Sequence, residues 1–247
     1  MDYVEFGKQN KDTILLLHGG GLSWWNYREV SEILQTDYHV IVPILDGHAG
    51  SERNFTTIRN NAEDIIDFID ENLGGSVLAM GGLSLGGQIL TEILSLRGDI
   101  CKYAIVESAL AIPSKITATM IKPAFGTCYG LIKYKWFSKL QFKALKIKPE
   151  LFDEYYDDTC MITKENMIAF LKENSLYTLK DSLSNCTAKV RIFVGEKENS
   201  SMKKSAKMIS SRLKYSSVSV LKNWYHGEFS LNHANEYVKE IFALINA

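Results

Sequence analysis

Residues 76–87 read SVLAMGGLSLGG, an apolar run that leads into a serine flanked by glycines. Residues 76–80 predict a buried strand, and residues 84–97 predict an apolar helix directly after it. Ser84 therefore stands on a tight turn between strand and helix, where its neighbours must be small for the chain to pass. Free backbone N–H groups and the helix dipole favour negative charge at such a position. We interpret Ser84 as a candidate nucleophile. The alternative is a glycine-rich turn with an incidental serine.

Short apolar runs and longer amphipathic runs alternate on both sides of this turn. The other runs that predict strands are residues 13–17, 38–42, 103–106, 190–194 and 217–221. The runs that predict helices are residues 26–35, 58–73, 84–97, 201–213 and 232–245. Such alternation is typical of parallel strands joined by crossover helices. The sequence therefore predicts an α/β fold with a mostly parallel central sheet and helices on both faces.

The alternation stops over residues 111–187, where no convincing strand is present. This stretch is rich in aromatic side chains and contains three of the four prolines. We predict a helical insertion that covers part of the molecule. The chain would then be one α/β domain, with a core of residues 1–110 and 188–247 and a cap of about residues 111–187.

Charges are segregated within this predicted cap. Residues 111–149 contain eight lysines and no acid, whereas residues 150–158 contain five acids and no base. A helix over about 134–148 would carry an apolar face and a basic face. Its apolar face would be Phe137, Leu140, Ala144 and Ile147, and its basic face Lys135, Lys139, Lys143 and Lys146. The basic face would either contact an anionic membrane or substrate or be a solvated outer face. We favour the solvated face as the simpler interpretation.

The composition excludes several classes of protein. Lys and Arg total 28 and Asp and Glu total 29 among 247 residues, a balance that argues against a nucleic-acid-binding protein. The four cysteines are far apart, so neither a zinc site nor a disulfide framework is expected. A polar N-terminus and the absence of a long apolar run argue against a signal peptide and a transmembrane segment. We expect a cytoplasmic protein with reduced thiols and no bound metal.

A serine hydroxyl needs a base to take its proton and an acid to orient that base. His226 follows the last predicted strand, and parallel strands place their following loops at one edge of the sheet, so it is our candidate base. Glu198 follows the predicted strand 190–194 and is our first choice for the acid. Glu196 in the same loop and Glu107 at the end of the strand 103–106 are the alternatives.

A tetrahedral oxyanion needs two fixed hydrogen-bond donors. One candidate donor is the backbone N–H of Leu85, the residue after the serine. The second should come from the His18-Gly19-Gly20-Gly21 cluster after the strand 13–17. We choose the N–H of Gly20, with Gly21 as the alternative.

The glycine cluster, the GLSLG turn and the order Ser84, Glu198, His226 together resemble the α/β-hydrolase superfamily over essentially the whole chain. Residues 46–51, DGHAGS, resemble the D-x-x-G-x-G-x-S loop of its capped members, and residues 111–187 resemble their helical cap, inserted after the sixth strand. A glutamate stands where the family more often has an aspartate acid. The resemblance implies hydrolysis through a covalent acyl-enzyme without metal or organic cofactor.

The function that follows is a serine hydrolase of carboxylic esters or related acyl substrates. Its substrate would be a small molecule with an apolar acyl group, because the cap is aromatic and Leu83 and Leu85 flank the serine. A C–C bond hydrolase or an acyltransferase would use the same three residues. A ligand sensor or binding protein that retains a hydrolase fold is an alternative from another class.

Overall fold

The computed structural model describes residues 1–246, and within them one sheet contains seven strands. The strands are β1 (Tyr3–Phe6), β2 (Thr13–Leu17), β3 (His39–Pro43), β4 (Val77–Leu83), β5 (Cys101–Glu107), β6 (Lys189–Gly195) and β7 (Ser216–Leu221). Their order across the sheet is β1-β3-β2-β4-β5-β6-β7. All neighbouring pairs are parallel except β1 and β3. The predicted fold class is therefore confirmed, and β1 is an additional strand that the sequence did not indicate.

Helices connect the strands and cover both faces of the sheet. In chain order they are α1 (Arg28–Leu34), α2 (Ile58–Asn72), α3 (Leu85–Leu96), α4 (Lys115–Cys128), α5 (Lys135–Leu145), α6 (Phe152–Met161), α7 (Lys164–Leu176), α8 (Ser200–Arg212), α9 (Glu228–Asn232) and α10 (Ala234–Ile245). The helix predicted over 232–245 starts after a break, because His233 has a non-helical backbone (φ −129°, ψ 54°) between α9 and α10.

Two apolar cores lie on opposite faces of the sheet. Leu15 and Leu17 of β2 pack into the core that α2, α3 and α8 cover. Ile14 and Leu16 point the other way, into the core that α1 and α10 cover. Each fully buried Leu or Ile side chain contributes roughly 1.5–3 kcal/mol. The uninterrupted apolar run of β2 thus reflects a strand that is buried on both sides.

The helices α4 to α7 form one insertion between β5 and β6, which we call the helical insertion (residues 111–187). It follows β5, which is the strand predicted over residues 103–106, so the insertion begins where the sequence placed it. In this sheet one strand, β1, precedes the buried strand β2, so the insertion follows the fifth strand of the chain and not the sixth that the resemblance implies.

Buried polar contacts fasten the helical insertion to the rest of the molecule. Gln88 of α3 is fully buried, and its side chain exchanges hydrogen bonds of 2.9 and 3.0 Å with Asn174 of α7. Trp25 donates its indole N–H to Asp158 of α6 at 2.7 Å. The Asn166 side chain accepts the Phe55 N–H at 3.0 Å. These contacts hold the helical insertion on the core from several sides.

The predicted helix over about 134–148 is the shorter helix α5, and its predicted apolar face is partly wrong. Leu140 is 62% exposed, whereas Phe142 is buried against Phe152 and Tyr155. Lys146 has a left-handed backbone (φ 58°), which ends the helix at Leu145. None of the helices in residues 1–246 has the length and apolar composition that crossing a bilayer requires.

Candidate active site

Ser84 lies at the junction of β4 and α3 in a strained backbone conformation, with φ 53° and ψ −110°. Non-glycine residues rarely adopt positive φ, and such strain persists only where the surroundings impose it. The Ser84 N–H donates to the Glu107 carbonyl at 2.8 Å, which holds the turn against the end of β5. The side chain therefore stands above the carboxyl edge of the sheet, as the sequence predicted.

Two glycines allow the close approach on which this turn depends. A Cβ on Gly86 would overlap the carbonyl oxygens of Leu17 and His18. A Cβ on Gly82 would lie 2.5 Å from the carbonyl oxygen of Gly86. The start of α3 consequently abuts the end of β2, and the glycine cluster that follows β2 lies against the serine turn.

The glycine cluster and the start of α3 together provide backbone donors. Gly20 contacts Leu85 so closely that a Cβ on Gly20 would lie 3.4 Å from the Leu85 Cβ. The Gly19 N–H donates to the Asn26 side chain at 3.1 Å. In residues 1–246, neither the Gly20 N–H nor the Leu85 N–H donates a hydrogen bond to a protein group. Both groups are therefore free to donate to a ligand.

His226 and the buried Glu198 form an acid–histidine pair. The His226 Nδ1 lies 2.7 Å from Glu198 Oε2, and the Glu198 side chain is only 3% exposed, against 41% for His226. Glu198 Oε1 also accepts the Ser108 hydroxyl and the Gly195 N–H, each at 2.7 Å. The carboxylate is thus held from three directions and presents one oxygen to the histidine.

The surroundings of Glu198 favour its charged form. Burial by itself would raise the pKa of Glu198, but the hydrogen bonds from His226, Ser108 and Gly195 outweigh burial and lower it below its ordinary value. A carboxylate that remains charged near neutral pH can orient the imidazole and stabilise its protonated form.

The two alternative acids have other partners. Glu196 is exposed and accepts the Asn223 N–H at 2.9 Å. Glu107 is buried and accepts the N–H groups of Phe229 and Ser230, each at 3.2 Å. Of the three glutamates considered from the sequence, the structure brings Glu198 to His226.

Ser84 and His226 line the same cavity of about 120 Å³. Gly19 and Gly20 also line it, and its apolar lining is Leu22, Leu83, Leu145, Ile147 and Leu231. Ser84 Oγ and His226 make no hydrogen bond with each other in residues 1–246, and such bonds are often long before substrate binds. The arrangement unites a hydroxyl, a histidine–carboxylate pair and two free N–H groups around a small apolar space.

Comparison with protein families shows what kind of protein this arrangement belongs to. A model described as the alpha/beta hydrolase family matches residues 14–187, more than half of the chain. The chain belongs to the alpha/beta hydrolase family. No curated protein matches this hydrolase by sequence.

Solved structures share the fold of this hydrolase at low sequence identity. A thermophilic esterase from Thermogutta terrifontis is 16% identical, with a TM-score of 0.80 over 100% of this chain and 94% of the other. An enol-lactonase from Burkholderia xenovorans LB400 is 12% identical, with a TM-score of 0.80 over 100% and 96%. A lipase-esterase related protein from Clostridium acetobutylicum is 19% identical, with a TM-score of 0.78 over 98% of each chain. At these identities the likeness concerns the fold.

The other histidines of this hydrolase do not face the serine cavity. Burial lowers the pKa of His18 to about 3 and that of His48 to about 4, so both rings are neutral. His18 accepts the Leu45 N–H at 3.1 Å and thereby ties the glycine cluster to the end of β3. His39 lies 3.0 Å from Glu5, and His233 stacks on Trp224 at 3.9 Å.

The sequence did not predict several of the residues that lie around the cavity. Ser108 directly follows β5, so the rule that polar residues at strand ends meet at one sheet edge could have found it. Asn26 holds Gly19 and also donates to the Ser230 hydroxyl at 3.3 Å, but nothing in the sequence signals that contact. Leu145 and Ile147 wall the cavity because α5 ends between them.

In residues 1–246, no group of three or more His, Cys, Asp or Glu side chains has an arrangement that could hold a metal ion.

Glu107 gives this hydrolase a pH-dependent stability that can be measured. Burial raises its pKa from 4.5 to about 7, and the hydrogen bonds from Ser230 offset burial only in part. The folded protein therefore retains a proton that the unfolded chain releases, and this stabilisation is lost as pH rises from about 4.5 to about 7. Glu107→Gln keeps the acceptor oxygen but does not titrate.

We expect the free energy of unfolding of the wild type, relative to Glu107→Gln, to fall by on the order of 3 kcal/mol across that pH range. Urea denaturation of both proteins at several pH values measures it. A constant difference between the two proteins would mean that Glu107 does not take up a proton on folding.

Proposed function

We propose that this protein is a serine hydrolase that cleaves carboxylic esters or related acyl substrates through an acyl-enzyme. The observation that carries the proposal is the shared cavity, which Ser84, His226 and Gly20 line, with Leu85 next to Ser84 and in contact with Gly20. A nucleophile, an oriented base and two donors are the parts that acyl transfer requires.

In the proposed first half-reaction, Ser84 Oγ attacks the carbonyl carbon while His226 Nε2 takes the hydroxyl proton. The carbonyl oxygen becomes an oxyanion that accepts hydrogen bonds from the Gly20 and Leu85 N–H groups. His226 then donates its proton to the oxygen of the leaving alcohol, and the C–O bond breaks. Glu198 keeps the proton on His226 Nδ1, so that Nε2 is free to act as the base.

In the second half-reaction, His226 Nε2 takes a proton from a water molecule as the water attacks the acyl carbon. The bond to Ser84 Oγ then breaks, His226 returns the proton to Oγ, and the acid is released. A separate cavity of about 240 Å³, bounded by Lys197, Asn199 and Tyr225, reaches the His226–Glu198 pair. This cavity offers water a path to the histidine that does not pass through the acyl cavity.

The size and lining of the 120 Å³ cavity indicate the acyl group. This volume is that of about four water molecules at ~30 Å³ each. Its walls are largely leucine and isoleucine side chains, so an apolar acyl chain of roughly two to four carbons fits best. We further propose that the helical insertion acts as a cap, because its residues Leu145 and Ile147 supply part of that wall.

The comparisons support the same substrate class without identifying a substrate. Two of the similar structures are an esterase and an enol-lactonase, and a lactone is an internal ester. Both kinds of substrate contain the acyl–oxygen bond that the proposed mechanism breaks.

A panel of nitrophenyl esters with acyl chains from acetyl to decanoyl tests the proposal. We expect kcat/KM to peak at a short chain and to fall steeply beyond it. Leu145→Ala removes part of the cavity wall and should raise kcat/KM for hexanoyl relative to acetyl by roughly tenfold. Leu140→Ala is the matched control, because Leu140 lies on the same helix but is 62% exposed and does not line the cavity. If the protein hydrolyses no ester of the panel, the proposal is wrong.

A further inference from the structure

A groove of about 780 Å³ lies beside the serine cavity, between the helical insertion and the loop that carries His226. Ile147 lines both the groove and the serine cavity, and Tyr225, the neighbour of His226, lines the groove as well. The groove is therefore adjacent to the side of the serine cavity where His226 stands. It is too large and too open to be needed for a short acyl chain.

Three lysines line this groove, namely Lys139, Lys143 and Lys146. In residues 1–246, none of their ammonium groups lies within 4.0 Å of a carboxylate. Instead, Lys139 lies 5.4 Å from the Phe152 ring and Lys146 lies 5.4 Å from the Tyr225 ring. Cation–π contacts at such distances hold the two ammonium groups against the groove wall.

Two acids also line the groove, but both have protein partners. Asp153 lies 3.7 Å from the Lys135 ammonium group, and Glu228 accepts the Tyr225 N–H at 2.7 Å. The surrounding residues 111–149 contain eight lysines and no acid. With three lysines against two carboxylates, one of which is paired with Lys135 outside the groove, the groove lining carries a surplus of positive charge.

We propose that this groove binds an anionic group on the alcohol portion of the substrate. The inference rests on the proposed function, because it takes His226 as the acid that protonates the leaving alcohol. That step places the alcohol oxygen beside His226, and the rest of the alcohol then extends past Ile147 and Tyr225 into the groove. The substrate would be an ester of a short apolar acid with an alcohol that carries a carboxylate or a phosphate.

Charge and apolar surface in the groove match such an alcohol. Phe142 and Phe152 offer apolar contact for its carbon chain, while the lysines attract its charged end. The lysines are exposed to solvent, so the attraction is screened by salt. Binding of the anion should therefore weaken as ionic strength rises, whereas binding of a neutral analogue should not.

The test measures binding separately from turnover. The ligands are a homologous series of ω-acetoxy carboxylates, the corresponding phosphate monoesters and the neutral primary amides. Calorimetry on Ser84→Ala gives their affinities without hydrolysis, and wild-type kinetics give kcat/KM. Lys139→Gln/Lys143→Gln removes two groove charges at nearly constant side-chain size, and Lys122→Gln, an exposed lysine of α4 outside the groove, is the control.

We expect at least one anionic series to bind and react better than the amides, and the double substitution to lower its affinity roughly tenfold. The amides and the Lys122→Gln protein should be unaffected. Equal affinities for anions and amides, or anion binding unchanged by the double substitution, would overturn the groove proposal even if esters are hydrolysed. Loss of anion affinity in a protein that hydrolyses no ester would support the anion site and contradict the proposed function.

Discussion

Replacing Ser84 by alanine is expected to lower kcat/KM for the preferred short-chain ester by roughly 10⁴-fold or more. The hydroxyl is the proposed nucleophile, and water would have to attack the substrate directly in its place. The two backbone donors and the cavity remain, so a small residual rate from binding and oxyanion stabilisation should persist. Steady-state kinetics on purified protein measure the loss.

Alanine can keep the strained backbone of position 84, so the variant should fold like the wild type, and its thermal midpoint checks this. Ser95→Ala is a matched control, because Ser95 lies on the same helix α3 and its hydroxyl donates to the Thr91 carbonyl at 2.8 Å. Retention of more than about a tenth of the activity by Ser84→Ala would exclude Ser84 as the nucleophile.

Glu198→Gln is expected to lower kcat by roughly 10³- to 10⁴-fold. A glutamine can fill the same space, but it carries no charge to stabilise the protonated His226, and it can hold the ring in the wrong tautomer. The change leaves the size of the side chain almost unaltered, so the thermal midpoint should change far less than the rate.

Glu196→Gln provides the comparison within the same loop. Glu196 is exposed, and within residues 1–246 its carboxylate accepts only the Asn223 N–H, so its substitution should change kcat less than twofold. Similar losses for both substitutions, or an active Glu198→Gln, would show that the 2.7 Å contact between Glu198 and His226 is not part of the chemistry.

The sequence predicted the central strands well because their burial leaves a strong pattern. The apolar run of β2 is buried almost throughout, because a strand that is covered on both faces needs apolar side chains at successive positions. The edge strand β1 was missed because its four residues YVEF are only partly buried and show no run. The break at His233 was missed because residue spacing does not indicate the non-helical backbone of a single residue.

The position of the candidate site followed from topology, but its details did not. The GLSLG turn singled out Ser84, and the rule that loops after parallel strands meet at one edge of the sheet brought His226 and three glutamates into consideration. The rule cannot say where a side chain points. Glu198 reaches His226, whereas Glu107 accepts N–H groups at the start of α9. Only the three-dimensional structure distinguishes these two glutamates as partners of the histidine.

The face of α5 illustrates a different limit. Helical periodicity placed Leu140 on an apolar side, but the aromatic cluster of Phe142, Phe152 and Tyr155 determines which side is buried. The left-handed residue Lys146 then turns the chain so that Ile147 reaches the serine cavity. Neither effect is visible in residue spacing, because both depend on partners distant in sequence.

Covalent labelling tests the central claim most directly. The protein is allowed to react with a fluorophosphonate, the modified peptide is identified by mass spectrometry, and the remaining ester hydrolysis is measured on the same sample. We predict one modification, on Ser84, with a loss of hydrolysis in proportion to the labelled fraction. Modification of a different residue, or full hydrolysis by protein whose Ser84 is completely labelled, would contradict an acyl-enzyme on Ser84.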